Sequence, residues 1–132
     1  MLELIPIDNK PVWIDIDTYP LNLNPISCQD YVGFTILQAT VETLFVRDKT
    51  GHWTLGAADS VQVSEANTSY RFRLPIDRLW SNGDPIIAAD FVRAFQRILD
   101  PNQWVPFAPW LYCIRNAQGY HSGCCEWEDV GG

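Results

Sequence analysis

The sequence has little charge, and most of the charge it has is negative. Only 19% of its 132 residues are charged, and nine Lys and Arg stand against 16 Asp and Glu, which gives a formal net charge of −7. The basic residues are scattered singly, so no basic stripe could follow a phosphate backbone, and anionic surfaces repel such a chain on average. This balance argues against nucleic-acid binding by this segment.

Long apolar runs are also absent. No stretch approaches the roughly 20 apolar residues that a membrane-spanning helix needs. The opening Met-Leu-Glu-Leu-Ile-Pro has neither a basic segment nor a long apolar segment, so it is not a signal peptide. Two alternatives stay open: the chain remains in the cytosol, or an export signal lies outside this sequence.

Cysteine is sparse, with four examples at Cys28, Cys113, Cys124 and Cys125. This density is too low for a disulfide scaffold, and adjacent cysteines rarely bond to each other, so we expect four reduced thiols. A structural zinc site needs paired ligands at short gaps, and only His121 and Cys124 are spaced in this way. The sequence therefore predicts no metal site and no cofactor.

The usual signatures of catalysis are missing as well. The chain has no Gly-x-Ser-x-Gly nucleophile elbow, no cysteine in a known catalytic signature and no Gly-rich phosphate-binding loop. We therefore expect that this protein is not an enzyme.

Aromatic residues, in contrast, are plentiful. Six Trp, six Phe and five Tyr, within a composition that is 47% hydrophobic, are enough to build a core. Five of these rings fall in the loop-rich stretch after residue 101, at Trp104, Phe107, Trp110, Tyr112 and Trp127. Either they close the core of this domain, or they pack on another part of a larger protein and leave an exposed apolar patch when that part is missing. The second alternative predicts self-association as a homodimer.

The first third of the chain predicts a strand, a loop and a helix. Val12, Ile14 and Ile16 alternate with Trp13, Asp15 and Asp17, the period of a half-buried strand. Prolines and asparagines indicate a loop over 18–25. A helix is expected to begin at Ser27 as the N-cap, with Asp30 as its capping-box partner, and to run to about Thr43. Its expected apolar face consists of Phe34, Leu37, Val41 and Leu44.

Two short-range β elements are expected next. A strand at 44–47 is followed by a turn at 48–51, and alternating residues over 60–64 and 70–74 predict a β-hairpin. Tyr70, Phe72 and Leu74 are expected on its buried side, and the intervening arginines in solvent.

A second turn and a second helix follow. Asn82-Gly83 predicts a tight turn because both residues tolerate positive φ. The helix is expected over 88–99, with Asp90 in its first turn and Asp100-Pro101 at its end. Its expected apolar face consists of Phe91, Val92, Phe95, Ile98 and Leu99. A short third helix is expected over 111–117.

The order of these parts over 51–101 resembles the signature of the family 5 extracellular solute-binding proteins of bacterial ABC importers. That signature has a turn glycine, a Leu-Ala segment, a hairpin, a Trp-Ser-Asn-Gly-x-Pro turn and a helix ending Arg-x-x-Asp-Pro. The corresponding parts here are Gly51, Leu55 with Ala57, the strand at 70–74, the turn at 80–85 and the segment 97–101. Leu23-Asn24-Pro25 similarly stands where the family has Leu-Asp-Pro.

Several positions depart from the family pattern. Val61 stands in place of a Trp, Pro75 in place of an Arg, and Leu79 in place of a Lys. Ile87 replaces the Thr that would cap the second helix, a loss that we expect to cost about 1 kcal/mol. These departures indicate a divergent member.

The resemblance implies a mixed α/β, periplasmic-binding-protein-like type II fold. Residues 1–132 would form a single domain, the accessory subdomain of the first lobe, with a small, mainly antiparallel sheet and two main helices. Family members are several times longer and hold their ligand between two lobes. Residues 1–132 would then be the N-terminal part of such a two-lobed protein.

The function that the resemblance implies is binding of a peptide or similar solute and its delivery to an ABC transporter permease. No covalent step is involved. The resemblance implies a periplasmic or cell-surface location, whereas a complete chain without a signal peptide would be cytoplasmic.

The resemblance also places three residues near the ligand, because the residues before Leu-Asp-Pro lie there in the family. These are Asp17, which could meet a peptide amine, Tyr19, which could stack or donate a hydrogen bond, and Leu21. The alternative interpretation of this segment is a solvated loop at the end of a strand. The turn at 80–85 is interpreted as structural.

Two other functions remain open at this stage. One is the ligand-sensing domain of a cytosolic transcription regulator, which the free cysteines and the absence of an export signal would suit. The other is a stand-alone protein-interaction module that uses its aromatic surface.

Overall fold

The structure of this protein is a computed structural model that describes residues 2–4 and 12–131. Over these residues the strands are β1 (Leu2–Leu4), β2 (Val12–Ile14), β3 (Phe45–Arg47), β4 (Trp53–Leu55), β5 (Ser60–Val63) and β6 (Tyr70–Arg73). The α-helices are α1 (Tyr31–Thr40), α2 (Ala88–Ile98) and α3 (Ala117–His121), and two 3-10 helices span Ala108–Leu111 and Trp127–Asp129. No helix in this described part is long and apolar enough to cross a membrane.

The strands pair two by two, always antiparallel, as β1–β2, β3–β4 and β5–β6. The predicted mixed fold with antiparallel pairing and two main helices, α1 and α2, is thus confirmed. The expected small sheet is in fact three separate two-stranded sheets, because the strands are only three or four residues long and each of the later pairs is closed by its own local turn. Two-stranded pairs are marginal alone, so packing must hold them.

Backbone contacts divide the chain into two compact units. Unit 1 combines Met1–Val41 with Ile98–Gly132, and unit 2 is Glu42–Arg97. Each unit has its own packed residues and is described separately.

Helix α1 of unit 1 begins three residues later than the sequence predicts. Asp30 is the N-cap, and its carboxylate accepts a hydrogen bond from the Gly33 backbone N–H at 2.7 Å. The Ser27 hydroxyl instead accepts a hydrogen bond from the Asn22 side chain at 2.8 Å. The helix ends at Thr40 instead of Thr43.

The buried face of α1 is also rotated from the predicted one. Gly33 and Ile36 are the buried residues of the helix, whereas Phe34 and Val41 of the predicted face are exposed. Glycine at 33 is required by this packing. A Cβ there would lie 2.5 Å from Cys28 Sγ and 2.7 Å from the Asn22 carbonyl oxygen, both far inside van der Waals contact.

The core of unit 1 is a small apolar cluster after α2. Its buried members are Leu99, Val105, Ala108 and Ala117. Half-buried side chains surround it: Ile26, Ile98, Leu111, Tyr112, Ile114, Tyr120, Trp127 and Val130. Tyr112 and Trp127 therefore close the core, as the first alternative for the late aromatics predicted.

The helix expected over 111–117 is wrong. The structure instead ends a 3-10 helix, Ala108–Leu111, at the start of this segment and begins α3 at its last residue, Ala117. Asn116 separates them because it adopts the left-handed conformation at φ +60°, which asparagine tolerates better than most residues. Its side chain donates a hydrogen bond to the Asp129 carbonyl oxygen at 2.8 Å, which holds the late 3-10 helix in place.

Unit 2 contains two β-hairpins. In the first, β3 and β4 are joined by the predicted turn, where the Asp48 carboxylate accepts hydrogen bonds from the Thr50 and His52 backbone N–H groups at 2.8 and 2.9 Å. The sequence analysis placed no strand at β4. The second hairpin, β5–β6, is confirmed, with Val61 opposite Phe72.

The second hairpin is buried at one end only. Phe72 is half-buried and packs edge-to-face on Phe45, with ring centroids 5.6 Å apart. Tyr70, expected on the buried side, is exposed, because it pairs with Val63 at the turn end of the hairpin. Arg73 faces solvent as predicted and forms a two-pronged ion pair with Asp59, with the closest nitrogen–oxygen distance 2.9 Å.

The turn at 80–85 leads directly into α2. The Gly83 N–H donates to the Trp80 carbonyl and the Trp80 N–H donates to the Asp84 carbonyl, a three-residue hairpin loop. Of the two residues that tolerate positive φ, Gly83 adopts it, at +91°, and Asn82 does not. The Trp80 ring is exposed, and its indole N–H donates to the Asp90 carboxylate at 3.2 Å, which ties the turn to the start of α2.

Candidate functional site

The loop between β2 and α1 is held by a compact set of local hydrogen bonds. The Asn22 side-chain oxygen accepts from the Asn24 N–H at 2.8 Å, and the Asn24 carbonyl accepts from the N–H groups of Ser27 and Cys28 at 3.1 and 2.9 Å. The fully buried Cys28 and the close approach of Gly33 anchor the loop on α1. Because the second half of the loop is anchored in this way, the backbone that carries the residues of its first half is held in place.

The predicted ligand residues lie in the first half of this loop. Tyr19 is 90% exposed and Leu21 is 89% exposed, and Asp17 is exposed too. Ile14 and Ile16 are half-buried between exposed Trp13, Asp15 and Asp17, so the predicted alternation is confirmed although β2 stops at Ile14. Leu21, an apolar side chain this exposed on an anchored loop, is available for contact with a partner.

A second feature of unit 1 is an apolar cavity of about 250 Å³. It is lined by Pro25, Ile26, Phe34, Ile98, Val105, Phe107 and Trp110. All seven residues are apolar or aromatic. They come from the loop before α1, from α1 itself and from the segment 98–110. The volume is below the roughly 300–1,000 Å³ of a pocket that encloses a whole drug-sized ligand, so this cavity suits one large side chain.

Three rings form the wall of the cavity. Phe34 of α1 meets Phe107 edge-to-face, with centroids 5.9 Å apart, and Phe107 meets Trp110 with centroids 5.1 Å apart. The 3-10 helix that carries Trp110 has a proline in its first turn, which fixes its start, and the Trp110 N–H donates to the Phe107 carbonyl at 3.0 Å. Trp110 remains 76% exposed at the rim, where it could close over a bound group.

The predicted residues Asp17, Tyr19 and Leu21 are not among those that line the cavity. The cavity does include Pro25 and Ile26 from the second half of the same loop. The sequence analysis missed the cavity itself: it singled out Phe107 and Trp110 only as part of an aromatic tail, and Phe34 only as a core residue. The Pro-Phe-Ala-Pro-Trp run at 106–110 was the available signal, since prolines can hold aromatic rings at fixed angles.

The net charge of the chain resides entirely in unit 1. By sequence, unit 1 has nine acidic and two basic residues, whereas unit 2 has seven of each. Two of the unit 1 carboxylates accept hydrogen bonds from backbone N–H groups. Asp30 caps α1, and the Asn102 backbone N–H that donates to Asp100 at 2.8 Å holds the pKa of that carboxyl below its ordinary value.

The cysteines are unpaired with one another in the structure. All four are free thiols, as expected, and within residues 2–4 and 12–131 no three His, Cys, Asp or Glu side chains gather closely enough to hold a metal ion. Desolvation raises the pKa of the Cys125 thiol, and the Asp129 carboxylate adds to the shift, so this thiol stays protonated near neutral pH.

Comparison with known proteins identifies the family. Residues 53–122 match the family described as bacterial extracellular solute-binding proteins, family 5 middle. The chain belongs to this family. The matched segment covers β4 to α3 and so includes the hairpin, turn and helix on which the resemblance was based.

Two of the relatives are named as oligopeptide-binding proteins. The oligopeptide-binding protein OppA of Bacillus subtilis is 33% identical over 117 residues, which are 89% of this chain and 22% of that protein. The periplasmic oligopeptide-binding protein OppA of Haemophilus influenzae is 32% identical over 118 residues, 88% of this chain and 22% of that protein.

The fold agrees with solved structures of the family. The crystal structure of Haemophilus influenzae OppA in complex with the peptide RPPGFSPFR superposes with a TM-score of 0.79 at 31% identity, covering 85% of this chain and 22% of that one. The predicted periplasmic-binding-protein-like type II class is therefore confirmed. The chain spans about a fifth, 22%, of the length of these relatives.

Proposed function

We propose that this chain is the N-terminal, accessory-subdomain part of a peptide-binding protein and contributes one wall of its ligand site. The observation that carries the proposal is the aromatic-walled cavity of unit 1 in a chain of this family. Relatives with the same fold are named as oligopeptide-binding proteins. One of them is solved in complex with a peptide that contains two phenylalanines. An apolar cavity sized for one side chain fits a ligand of that chemistry.

The binding step needs no covalent chemistry. An apolar peptide side chain enters the cavity and leaves water, which is favourable by about 25 cal/mol per Å² of apolar area buried. Asp17, Tyr19 and Leu21, projecting from the anchored loop, contact other parts of the peptide: the carboxylate meets an amine and the phenol stacks or donates a hydrogen bond. The protein is accordingly a binding component and not an enzyme.

In the complete transport system, the bound peptide is delivered to the permease of an ABC importer. The periplasmic and extracellular relatives support a location outside the cytoplasm, at the periplasm or the cell surface. Because this chain would form one wall only, we expect it to bind peptides weakly on its own, with a Kd of about a millimolar.

The cavity is tested by a matched pair of tryptophan variants. Trp110→Ala removes the ring at the rim, and Trp104→Ala removes a ring of equal exposure, 75% against 76%, that does not line the cavity. Isothermal titration with a leucine-containing tripeptide should show at least about fivefold weaker binding for Trp110→Ala, since loss of an interface tryptophan commonly costs more than about 1 kcal/mol. Equal loss in both variants, or no loss in Trp110→Ala, would reject the cavity as the ligand site.

A further inference from the structure

The turn between β5 and β6 carries a sequence motif that the proposed peptide site does not include. Asn67-Thr68-Ser69 is an Asn-x-Ser/Thr sequence whose middle residue is not proline, the acceptor sequence for N-glycosylation. None of the six other asparagines of the chain is followed two positions later by Ser or Thr. So short a motif occurs by chance, and its structural setting decides whether it can be a site.

The setting of this motif is an exposed hairpin turn of unit 2. All residues from 65 to 69 are exposed. Asn67 takes a positive φ of +54°, which asparagine tolerates, and this conformation helps the chain to reverse direction. Glycosylated asparagines lie on surface loops, because the transferring enzyme must reach the side chain and the attached glycan is bulky. Asn67 meets this requirement.

Hydrogen bonds of the backbone and of Ser64 hold the turn. The Ser64 N–H donates to the Ser69 carbonyl oxygen, and the Asn67 N–H donates to the Ser64 carbonyl oxygen, each at 2.9 Å. The Ser64 hydroxyl accepts from the Thr68 and Ser69 N–H groups at 3.2 and 3.0 Å. None of the groups that an enzyme would recognise is used in this way. Within residues 2–4 and 12–131, the Asn67 carboxamide, the Ser69 hydroxyl and the Glu65 carboxylate make no hydrogen bond or ion pair.

We propose that Asn67 is an N-glycosylation site that accepts an oligosaccharide from a polyprenyl-diphosphate carrier. In the transfer, a bond forms between Asn67 Nδ2 and the anomeric carbon of the glycan, and Nδ2 gives up one proton to a base. The bond between that carbon and the carrier oxygen breaks, and the polyprenyl diphosphate leaves with its electron pair. No oxidation or reduction occurs.

The residues around Asn67 indicate which class of enzyme would act on it. Ser69 supplies the hydroxyl that every oligosaccharyltransferase needs two positions after the asparagine. Glu65 supplies a carboxylate two positions before it, which one class of bacterial oligosaccharyltransferase requires in addition. Such transfer takes place outside the cytoplasm, in agreement with the location proposed above. A glycan on Asn67 also covers Val63 and Tyr70, which pair at the turn end of the hairpin and are 44% and 55% exposed.

The test incubates the full chain with an acid-requiring bacterial oligosaccharyltransferase, its lipid-linked oligosaccharide and a divalent cation, and follows the intact mass. The wild-type chain should gain the mass of one glycan, which fragmentation should locate at Asn67. Asn67→Asp, which tolerates the same positive φ, and Ser69→Ala should gain nothing, and Glu65→Gln should lose most of the gain. Thr68→Ala is the control and should gain as much as the wild type.

The opposite results overturn the proposal. One is an unchanged mass of the wild-type chain in a reaction that glycosylates a standard acceptor peptide. Another is a full gain in Asn67→Asp or Ser69→Ala, because the glycan would then lie elsewhere. A full gain in Glu65→Gln would remove the carboxylate from recognition. The mass does not depend on peptide binding, so failure of this inference and failure of the proposed function are distinguishable.

Ser64→Ala tests the contribution of the turn itself. It removes the two hydrogen bonds that the Ser64 hydroxyl accepts, so the segment should open more readily into the enzyme. Glycosylation should then be about twofold faster or more, given the usual net contribution of a hydrogen bond. A rate equal to that of the wild type would contradict the restraint of the acceptor by this turn. Thermal unfolding of each variant, compared with the wild type, verifies that a loss of glycosylation does not come from a loss of fold.

Discussion

At the scale of single residues, Gly33 has the strictest steric requirement among the described glycines of unit 1. Its Cα faces the Cys28 sulfur and the Asn22 carbonyl oxygen, so it fixes the loop that carries Tyr19 and Leu21 against α1. Neither neighbour is the far end of a flexible side chain: Cys28 is fully buried, and the Asn22 oxygen belongs to the backbone. The contact therefore cannot relax cheaply.

We predict that Gly33→Ala destabilises the protein by about 1–3 kcal/mol, the usual cost of overpacking a well-filled site. The control is Gly119→Ala, also in a helix, where the added Cβ would meet only the Cys125 sulfur at 3.2 Å. Urea unfolding followed by tryptophan fluorescence measures both. If Gly33→Ala is as stable as the wild type, the close packing of the loop on α1 is wrong.

Residue identity alone did not reveal that Asp30, predicted as the capping-box partner of Ser27, is itself the N-cap of α1. Ser27 and Asp30 are both good N-cap residues, and the sequence places either one before an apolar run. The choice depends on Asn22, whose side chain binds the Ser27 hydroxyl across five positions of a folded loop. Gly83 and Asn82 present the same limit, since both tolerate positive φ and only the hydrogen bonds of the loop assign it to Gly83.

At the scale of elements, the start of α2 compensates for its missing cap. Ile87 has no side chain that could cap the helix, but its backbone N–H donates to the Asp90 carboxylate at 3.0 Å, and this bond lowers the pKa of Asp90 below its ordinary value of 3.8. Trp80 and Arg93 bind the same carboxylate at 3.2 and 2.7 Å. One aspartate thus joins the turn, the cap and the first turn of the helix.

A lowered pKa gives a stabilisation that is present above the unfolded-state value and is lost as the pH falls through the folded-state value. We therefore predict that the melting temperature of the protein falls on acidification below about pH 4, where Asp90, Asp59 and Asp48 share this direction of shift. Asp90→Asn should melt lower than the wild type at pH 6 and show a shallower fall with acid.

Asp77→Asn is the matched control for this pH series, because Asp77 is exposed in the same unit. Its melting curve should follow the wild type at every pH. An Asp90→Asn profile that runs parallel to the wild type from pH 6 to pH 3 would contradict the role of this carboxylate.

Elements with a strong local pattern were predictable, and elements fixed by tertiary contact were not. The hairpin of β5 and β6 and the helix α2 follow from alternation, turn residues and a helix-ending Asp-Pro. Strand β4 is three residues long and is fixed by its pairing with β3. The face that α1 buries was misjudged because Gly33, with no apolar side chain, lies at the closest contact.

At the scale of the whole molecule, only half of the candidate site could be predicted from the sequence. The family signature points to the loop with Asp17, Tyr19 and Leu21, whose role as ligand contacts stays a prediction. The cavity, in contrast, brings Phe34 next to rings more than 70 positions later in the chain. No local pattern predicts a contact at that separation. The Pro-Phe-Ala-Pro-Trp run at 106–110 indicated only the rings on one side of the cavity.

The homodimer predicted from the exposed aromatics also stays a prediction, and the charge distribution adds a condition to it. Trp104 and Trp110 are exposed in unit 1, where like charges oppose a second copy. We predict that self-association, measured by sedimentation at high protein concentration, rises with salt and falls in the Trp104→Ala, Trp110→Ala double variant. A strict monomer at high protein and high salt would reject this surface as a dimer contact.

The central claim is that the cavity of unit 1 receives a peptide side chain, and the indole signals of the chain in a two-dimensional ¹⁵N NMR spectrum test it most directly. During titration with the leucine-containing tripeptide, the Trp110 indole N–H signal, assigned by its loss in Trp110→Ala, should shift in a saturable way while the Trp104 signal stays in place. A saturable shift confined to other indoles, or no shift of any indole at millimolar peptide, would contradict the account.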